Sequence, residues 1–190
     1  MRILLSNDDG ILAPGLAALY AAVADLGEVT VVAPASPQSG AGQAITVLQP
    51  MATRKVHVTE AGAEFWGLSV EGRPADCARL AIRKLLDEPP DVVLSGINSG
   101  ANVGMHVFYS GTVAAAAEGA MSGIPAVAFS AALTGEEFDF PRIGRLCRWV
   151  LDAEHRGQVY GLRLPGVTIA PDRGADHRHR CLDALARLEP

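Results

Sequence analysis

Arg2-Ile3-Leu4-Leu5-Ser6-Asn7-Asp8-Asp9-Gly10 is a short apolar run that breaks into two adjacent carboxylates and a glycine. Ile3 to Ser6 reads as a strand. Leu16 to Leu26 behind it reads as a helix, with Pro14 where a first turn tolerates a missing N–H and Gly27 just past the end. Val29-Thr30-Val31-Val32-Ala33 follows as a second strand, apolar throughout as a strand covered on both faces is, and Pro34 stops it. Strand, helix and buried strand make a βαβ unit, and a βαβ unit predicts a parallel sheet.

The pattern continues outward from that unit. After a Ser/Gly/Pro/Gln-rich loop from Ala35 to Ala44, Arg54 to Thr59 and Glu64 to Val70 alternate polar and apolar residues around Ala61-Gly62, which predicts an antiparallel pair at a sheet edge. Pro74 to Leu86 reads as helix, Val92 to Leu94 as a buried strand, and Gly96 to Ser110 as a long loop. Thr112 to Met121 is helical, Ala126 to Ser130 is a strand, and Arg142 to Ala153 has the 3.6-residue period of an amphipathic helix. The expected fold is α/β with a mostly parallel sheet and an antiparallel edge pair. It extends over residues 1–164, with 165–190 as a short tail: loop, then a short helix near Leu182 to Leu188.

The 190 residues are 49% apolar and 19% charged, which excludes a disordered or collagen-like chain. A net charge of -5 without a basic stripe argues against a nucleic-acid polymer as partner. Three widely spaced cysteines, Cys77, Cys147 and Cys181, form no Cys-x-x-Cys pair and read as buried thiols of a reducing compartment. The first apolar run is too short for a signal peptide, and Glu118 and Pro125 interrupt the weakly polar stretch from Val113 to Leu133, so a cytoplasmic protein without a membrane span is the expectation.

In a doubly wound sheet, ligands bind outside the carboxyl ends of the strands. Asp8-Asp9, Ser39-Gly40 and the Ser95 to Asn102 loop all follow strands and fall on that rim. Two adjacent carboxylates repel and lose solvation there, a cost that a divalent cation offsets. With hydroxyl and amide oxygens from Ser39 and Asn98 nearby and no convergent Cys or His, the hard-ligand pattern points to Mg2+ or Mn2+. Asp8-Asp9-Gly10 taken alone reads equally well as a solvated capping turn, and its strand-end position favours the cation. Ser110-Gly111-Thr112 leads into a helix whose N-terminus favours an anion, although neither a P-loop nor a dinucleotide fingerprint is present. His106 in the same loop reads more readily as a surface residue than as a substrate contact. His177 and His179 read as part of a solvated charged face, Trp66 and Trp149 as core or interface aromatics, and Asp76 as a helix-capping carboxylate.

Arg2 to Gly10 with Ala13-Pro14-Gly15, then Val32-Ala33-Pro34 with Ser39-Gly40, the Ser95 to Gly104 loop and Tyr109-Ser110-Gly111-Thr112-Val113-Ala114-Ala115-Ala116 together resemble the SurE family of metal-dependent nucleotidases. The resemblance implies a Rossmann-like three-layer sandwich that hydrolyses nucleoside 5'- or 3'-monophosphates, in some members also polyphosphate, with one divalent cation per subunit. It implies Asp8, Asp9, Ser39 and Asn98 as metal ligands, with Asp8 and Asp9 as the catalytic carboxylates. Asn98, Asn102, Ser110, Gly111 and Thr112 are then substrate contacts, and the assembly a homo-oligomer, dimer or tetramer. Arg73 stands where the family usually has Thr, Gln43-Ala44 replace residues that are often Ser, and the stretch from Asp172 onward matches none of the family's C-terminal arm. Two other readings remain in view. A receiver-type phosphoacceptor module also pairs acids after its first strand, but it needs a further strand-end Asp and a later Lys where Ser95-Gly96 and Ser130-Ala131 stand. A noncatalytic nucleotide-binding protein would need no metal.

Overall fold

A computed structural model describes residues 1–131, 140–164 and 167–186. Strands β1 (Arg2–Ser6), β2 (Glu28–Pro34), β3 (Thr53–Glu60), β4 (Ala63–Val70), β5 (Val92–Ser99) and β6 (Ala126–Ala131) form one sheet in the order β3-β4-β2-β1-β5-β6. Every neighbouring pair is parallel except β3 with β4, the expected edge hairpin, which turns at Ala61 and Gly62, both at positive φ.

Alternate residues of β1 feed different layers, as a period of two requires. Ile3 and Leu5 join a core with Leu16, Leu19 and Val23 of α1 (Pro14–Val23), and with Val150 and Leu151 of α5 (Phe140–His155). Leu4 faces the opposite layer with Val32, Val93 and Cys77 of α2 (Pro74–Leu80), which runs on as a π-helical turn over Ala81–Leu85. α4 (Gly111–Met121) packs on β5 and β6 in that second layer. The result is the anticipated three-layer α/β sandwich. α1 approaches the sheet so closely that a Cβ on Gly15 would lie 2.0 Å from the Ile97 carbonyl oxygen, which is why the first helical turn carries glycine there.

β1 lies between β2, which follows it through α1, and β5, which arrives from β4 through α2 on the other face. The chain therefore reverses its winding between β1 and β5, and a crevice opens there above the carboxyl ends.

Several elements differ from expectation. β5 continues past Leu94 to Ser99 with a register shift between Ser95 and Asn98, because pairing of Asn98 and Ser99 with Ser130 and Ala131 overrides the glycine in the run. The stretch after it contains a one-turn helix, α3 (His106–Tyr109). Beyond α5, β7 (Tyr160–Leu164) and β8 (Val167–Asp172) make a separate antiparallel hairpin, and α6 (Ala175–Ala186) begins well before the expected Leu182. Cys181 and Leu182 of α6 enter the core of the α1 layer.

His177 belongs to no solvated face: it is 1% exposed, and its ring Nε2 meets the Tyr160 carbonyl oxygen at 2.6 Å. Trp66 and Trp149 are not core residues, at 58% and 65% exposed. Trp66 lies on the edge hairpin against His57 and under the Lys55 ammonium. Cys77 and Cys181 are buried free thiols as expected, while the Cys147 side chain lies outside the described residues. Among the described residues no helix is long and apolar enough to cross a membrane.

Candidate active site

The site begins with the turn that ends β1. The Asn7 side chain closes on Gly10, its Nδ2 donating to the Gly10 carbonyl at 3.0 Å and its Oδ1 accepting from the Gly10 N–H at 3.2 Å. This Asx-type clamp turns the backbone sharply, so that Asp8 and Asp9 present themselves at the crevice and not along the strand. The Gln38 N–H donates to the Asp8 carbonyl at 2.7 Å, binding the loop after β2 to the same turn.

Asp8 is 5% exposed, and its Oδ1 accepts from Thr112 Oγ1 at 2.5 Å. Asp9 is half-buried, and its Oδ2 takes the Ser99 N–H at 3.4 Å. Burial pushes the Asp9 carboxyl above the usual carboxylate range and the neighbouring Asp8 adds to the shift, while the Ser99 N–H works against both. Among the described residues neither carboxylate forms an ion pair with a basic group.

These groups open on a cleft of about 290 Å³ lined by Asp8, Asp9, Ser39, Asn98, Asn102 and Ser110, with His106 and Tyr109 of α3 also on its wall. The predicted rim residues thus meet in one place. Asn98 Nδ2 donates to the Gly100 carbonyl at 2.7 Å, which commits its nitrogen to the protein and leaves Oδ1 as the end suited to a cation. Asn102 Nδ2 is held by Ser130 Oγ at 2.8 Å. Ser110 caps α4, its Oγ accepting from the Val113 N–H at 3.1 Å.

Gly111 and Thr112 stand behind the wall and do not line it. A Cβ on Gly111 would lie 2.7 Å from both Asp8 Cβ and Pro74 Cγ, so glycine lets the positive end of α4 reach Asp8. Thr112 is fully buried and spends its hydroxyl on Asp8. The sequence offers no local signal for that contact, while His106, expected as a surface residue, is exposed and stands on the cleft wall. Asn7 is recoverable in principle, since an Asn three residues before a glycine at a strand end is a turn signature.

The donor set suits a hard divalent cation. It holds two carboxylates without a basic counter-charge, an amide oxygen and a hydroxyl, and no group of three or more His, Cys, Asp or Glu side chains among the described residues could hold a metal. A larger cavity, about 360 Å³, lies at the opposite end of the sheet beside Arg2 and Glu28. Arg2 is engaged there by Glu88 and Asp91, far from the strand ends that carry the chemistry.

A family model described as "Survival protein SurE" matches residues 3–175. The chain is similar to "5'-nucleotidase SurE" of Rhodopirellula baltica, 47% identical over 171 residues, 87% of this chain and 66% of that protein. It is likewise similar to "5'-nucleotidase SurE" of Carboxydothermus hydrogenoformans, 44% identical over 182 residues, 92% of this chain and 68% of that one. The solved structure "Crystal Structure of Sure Protein from Aquifex aeolicus" superposes with a TM-score of 0.71 at 40% identity, covering 84% of this chain and 62% of that chain. The chain spans about half to two thirds of the length of the curated relatives it matches.

Proposed function

The chain belongs to the SurE family, and on that premise we propose that it is a divalent-metal-dependent phosphatase hydrolysing nucleoside 5'- or 3'-monophosphates. The observation that carries the reading is the Asp8–Asp9 pair, uncompensated by any basic group among the described residues and sharing one cleft with Ser39 and Asn98. In this reading Asp8, Asp9, Ser39 and Asn98 hold Mg2+ or Mn2+. When bound, the cation supplies polarisation of a phosphoryl oxygen and lowers the pKa of a water molecule.

The chain's own residues do the positioning. Thr112 fixes the rotamer of Asp8, and the Ser99 N–H steadies Asp9. Asn102 and Ser110 line the wall where the phosphate oxygens would lie, and the N-terminus of α4 faces the charge that grows in the transition state. Fixed donors of this kind do most of the work in phosphoryl transfer, where positioning and charge stabilisation dominate. Polyphosphate as a further substrate, assembly into a dimer or tetramer and a cytoplasmic location belong to the same proposal.

The test is phosphate release from nucleoside 5'- and 3'-monophosphates, with and without chelator, by the wild-type chain and Asp8→Asn. Turnover that chelator abolishes and Asp8→Asn lacks is the expected result. Turnover that survives both overturns the reading, and stable self-labelling by a small phosphodonor without turnover would put a receiver-type module in its place.

A further inference from the structure

We propose, resting on the phosphatase reading above, that His106 is the general acid that protonates the leaving oxygen of the phosphate ester. Hydrolysis forms a bond from water oxygen to phosphorus and breaks the bond from phosphorus to the ester oxygen, which departs with the electron pair. The ester oxygen takes a proton from a His106 ring N–H to become the product hydroxyl. The proton shed by the attacking water leaves with inorganic phosphate, and solvent returns a proton to His106.

The cleft narrows the choice of donor. Asp8 and Asp9 as carboxylates only accept, and they are the groups suited to a cation. Ser39, Asn98, Asn102 and Ser110 are neutral and do not exchange a proton near pH 7. Of the titratable groups on the wall this leaves His106 and Tyr109, and only an imidazole populates both proton states near neutrality.

His106 is exposed, and among the described residues its ring makes no hydrogen bond or ion pair. It lies on the one-turn helix α3, a segment separate from the strand end that carries the carboxylates, and shares the cleft with them. That segment is tethered: the His106 N–H donates to the Val103 carbonyl at 3.1 Å, and the Tyr109 carbonyl accepts from the Gly42 N–H at 2.9 Å.

The experiment compares an ester with a poor leaving group, a nucleoside 5'-monophosphate, with one that needs little protonation, p-nitrophenyl phosphate. The full chain is assayed with Mg2+ or Mn2+ as wild type, His106→Ala, His106→Gln, Tyr109→Phe and Asp8→Asn. The readout is the ratio of the two kcat values. General-acid catalysis is worth about 10²–10⁴-fold. His106→Ala and His106→Gln are therefore expected to lower the nucleotide kcat by about 10²-fold or more, and the aryl phosphate kcat at least tenfold less than that. Added imidazole is expected to restore nucleotide turnover in His106→Ala but not in His106→Gln. Equal losses on both esters, no loss on either, or the selective loss appearing in Tyr109→Phe would each overturn the assignment while leaving the phosphatase reading intact. Full turnover by Asp8→Asn would remove both.

Discussion

Thr112 Oγ1 and Asp8 Oδ1 are hydrogen-bonded at 2.5 Å although 104 positions separate them in the chain. The contact joins the first turn of α4 to the end of β1, and it uses a hydroxyl that is fully buried. A carboxylate held this way keeps one oxygen engaged and one rotamer selected, which is what outer partners do for metal-binding groups. Thr112→Val keeps the volume and deletes the donor. It is expected to lower kcat/KM on a nucleoside monophosphate by about 10–100-fold, with Thr112→Ser restoring most of it, read by steady-state kinetics beside a metal titration.

Asp9 contributes the opposite sign to stability. Its carboxyl is raised above the ordinary value by burial and by Asp8, so the folded state binds its proton more tightly than the unfolded chain does. Metal-free stability is therefore lost as pH rises from the ordinary aspartate value through the folded one. Asp9→Asn is expected to raise the melting temperature in chelator at pH 7. The gain should vanish below about pH 4, where both states are protonated, and phosphate release should be lost. A lower melting temperature for Asp9→Asn at pH 7 would contradict the account.

Cation binding to the folded state alone must appear as added stability. At ~100 times its dissociation constant the gain is about 2.7 kcal/mol, or roughly 5–10 °C in melting temperature for a chain of this size. Thermal unfolding with Mg2+ or Mn2+ is expected to show that shift, and Asp8→Asn is expected to abolish it.

Asp76 anchors the loop that carries Ser39. It is 2% exposed and accepts from the Thr46 N–H at 2.8 Å, Thr46 Oγ1 at 2.7 Å and the Arg73 N–H at 2.9 Å. The capping role expected of it accounts for only the last of these. Asp76→Ala orphans part-buried donors at a cost of about 1–3 kcal/mol each at most. A total loss of roughly 2–4 kcal/mol in denaturant unfolding is expected, with a raised KM from the released loop and a smaller change in kcat.

The amino-acid order determined the βαβ core, the edge hairpin and the rim on which Asp8, Ser39 and Asn98 lie. Those features follow from apolar periodicity, Pro and Gly placement and the rule that strand ends face the crevice, all of which act over a few residues. Tertiary structure decided what depends on distant partners. Pairing with β6 carried β5 through Gly96 to Ser99. Contact with Tyr160 and the α1 layer buried His177 and set the start of α6. The fold against α4 gave Asp8 its Thr112 hydroxyl, and the α3 turn put His106 and Tyr109 on the cleft wall. A local pattern specifies which face a residue offers, but burial and hydrogen bonding between segments far apart in sequence are settled only when the layers pack.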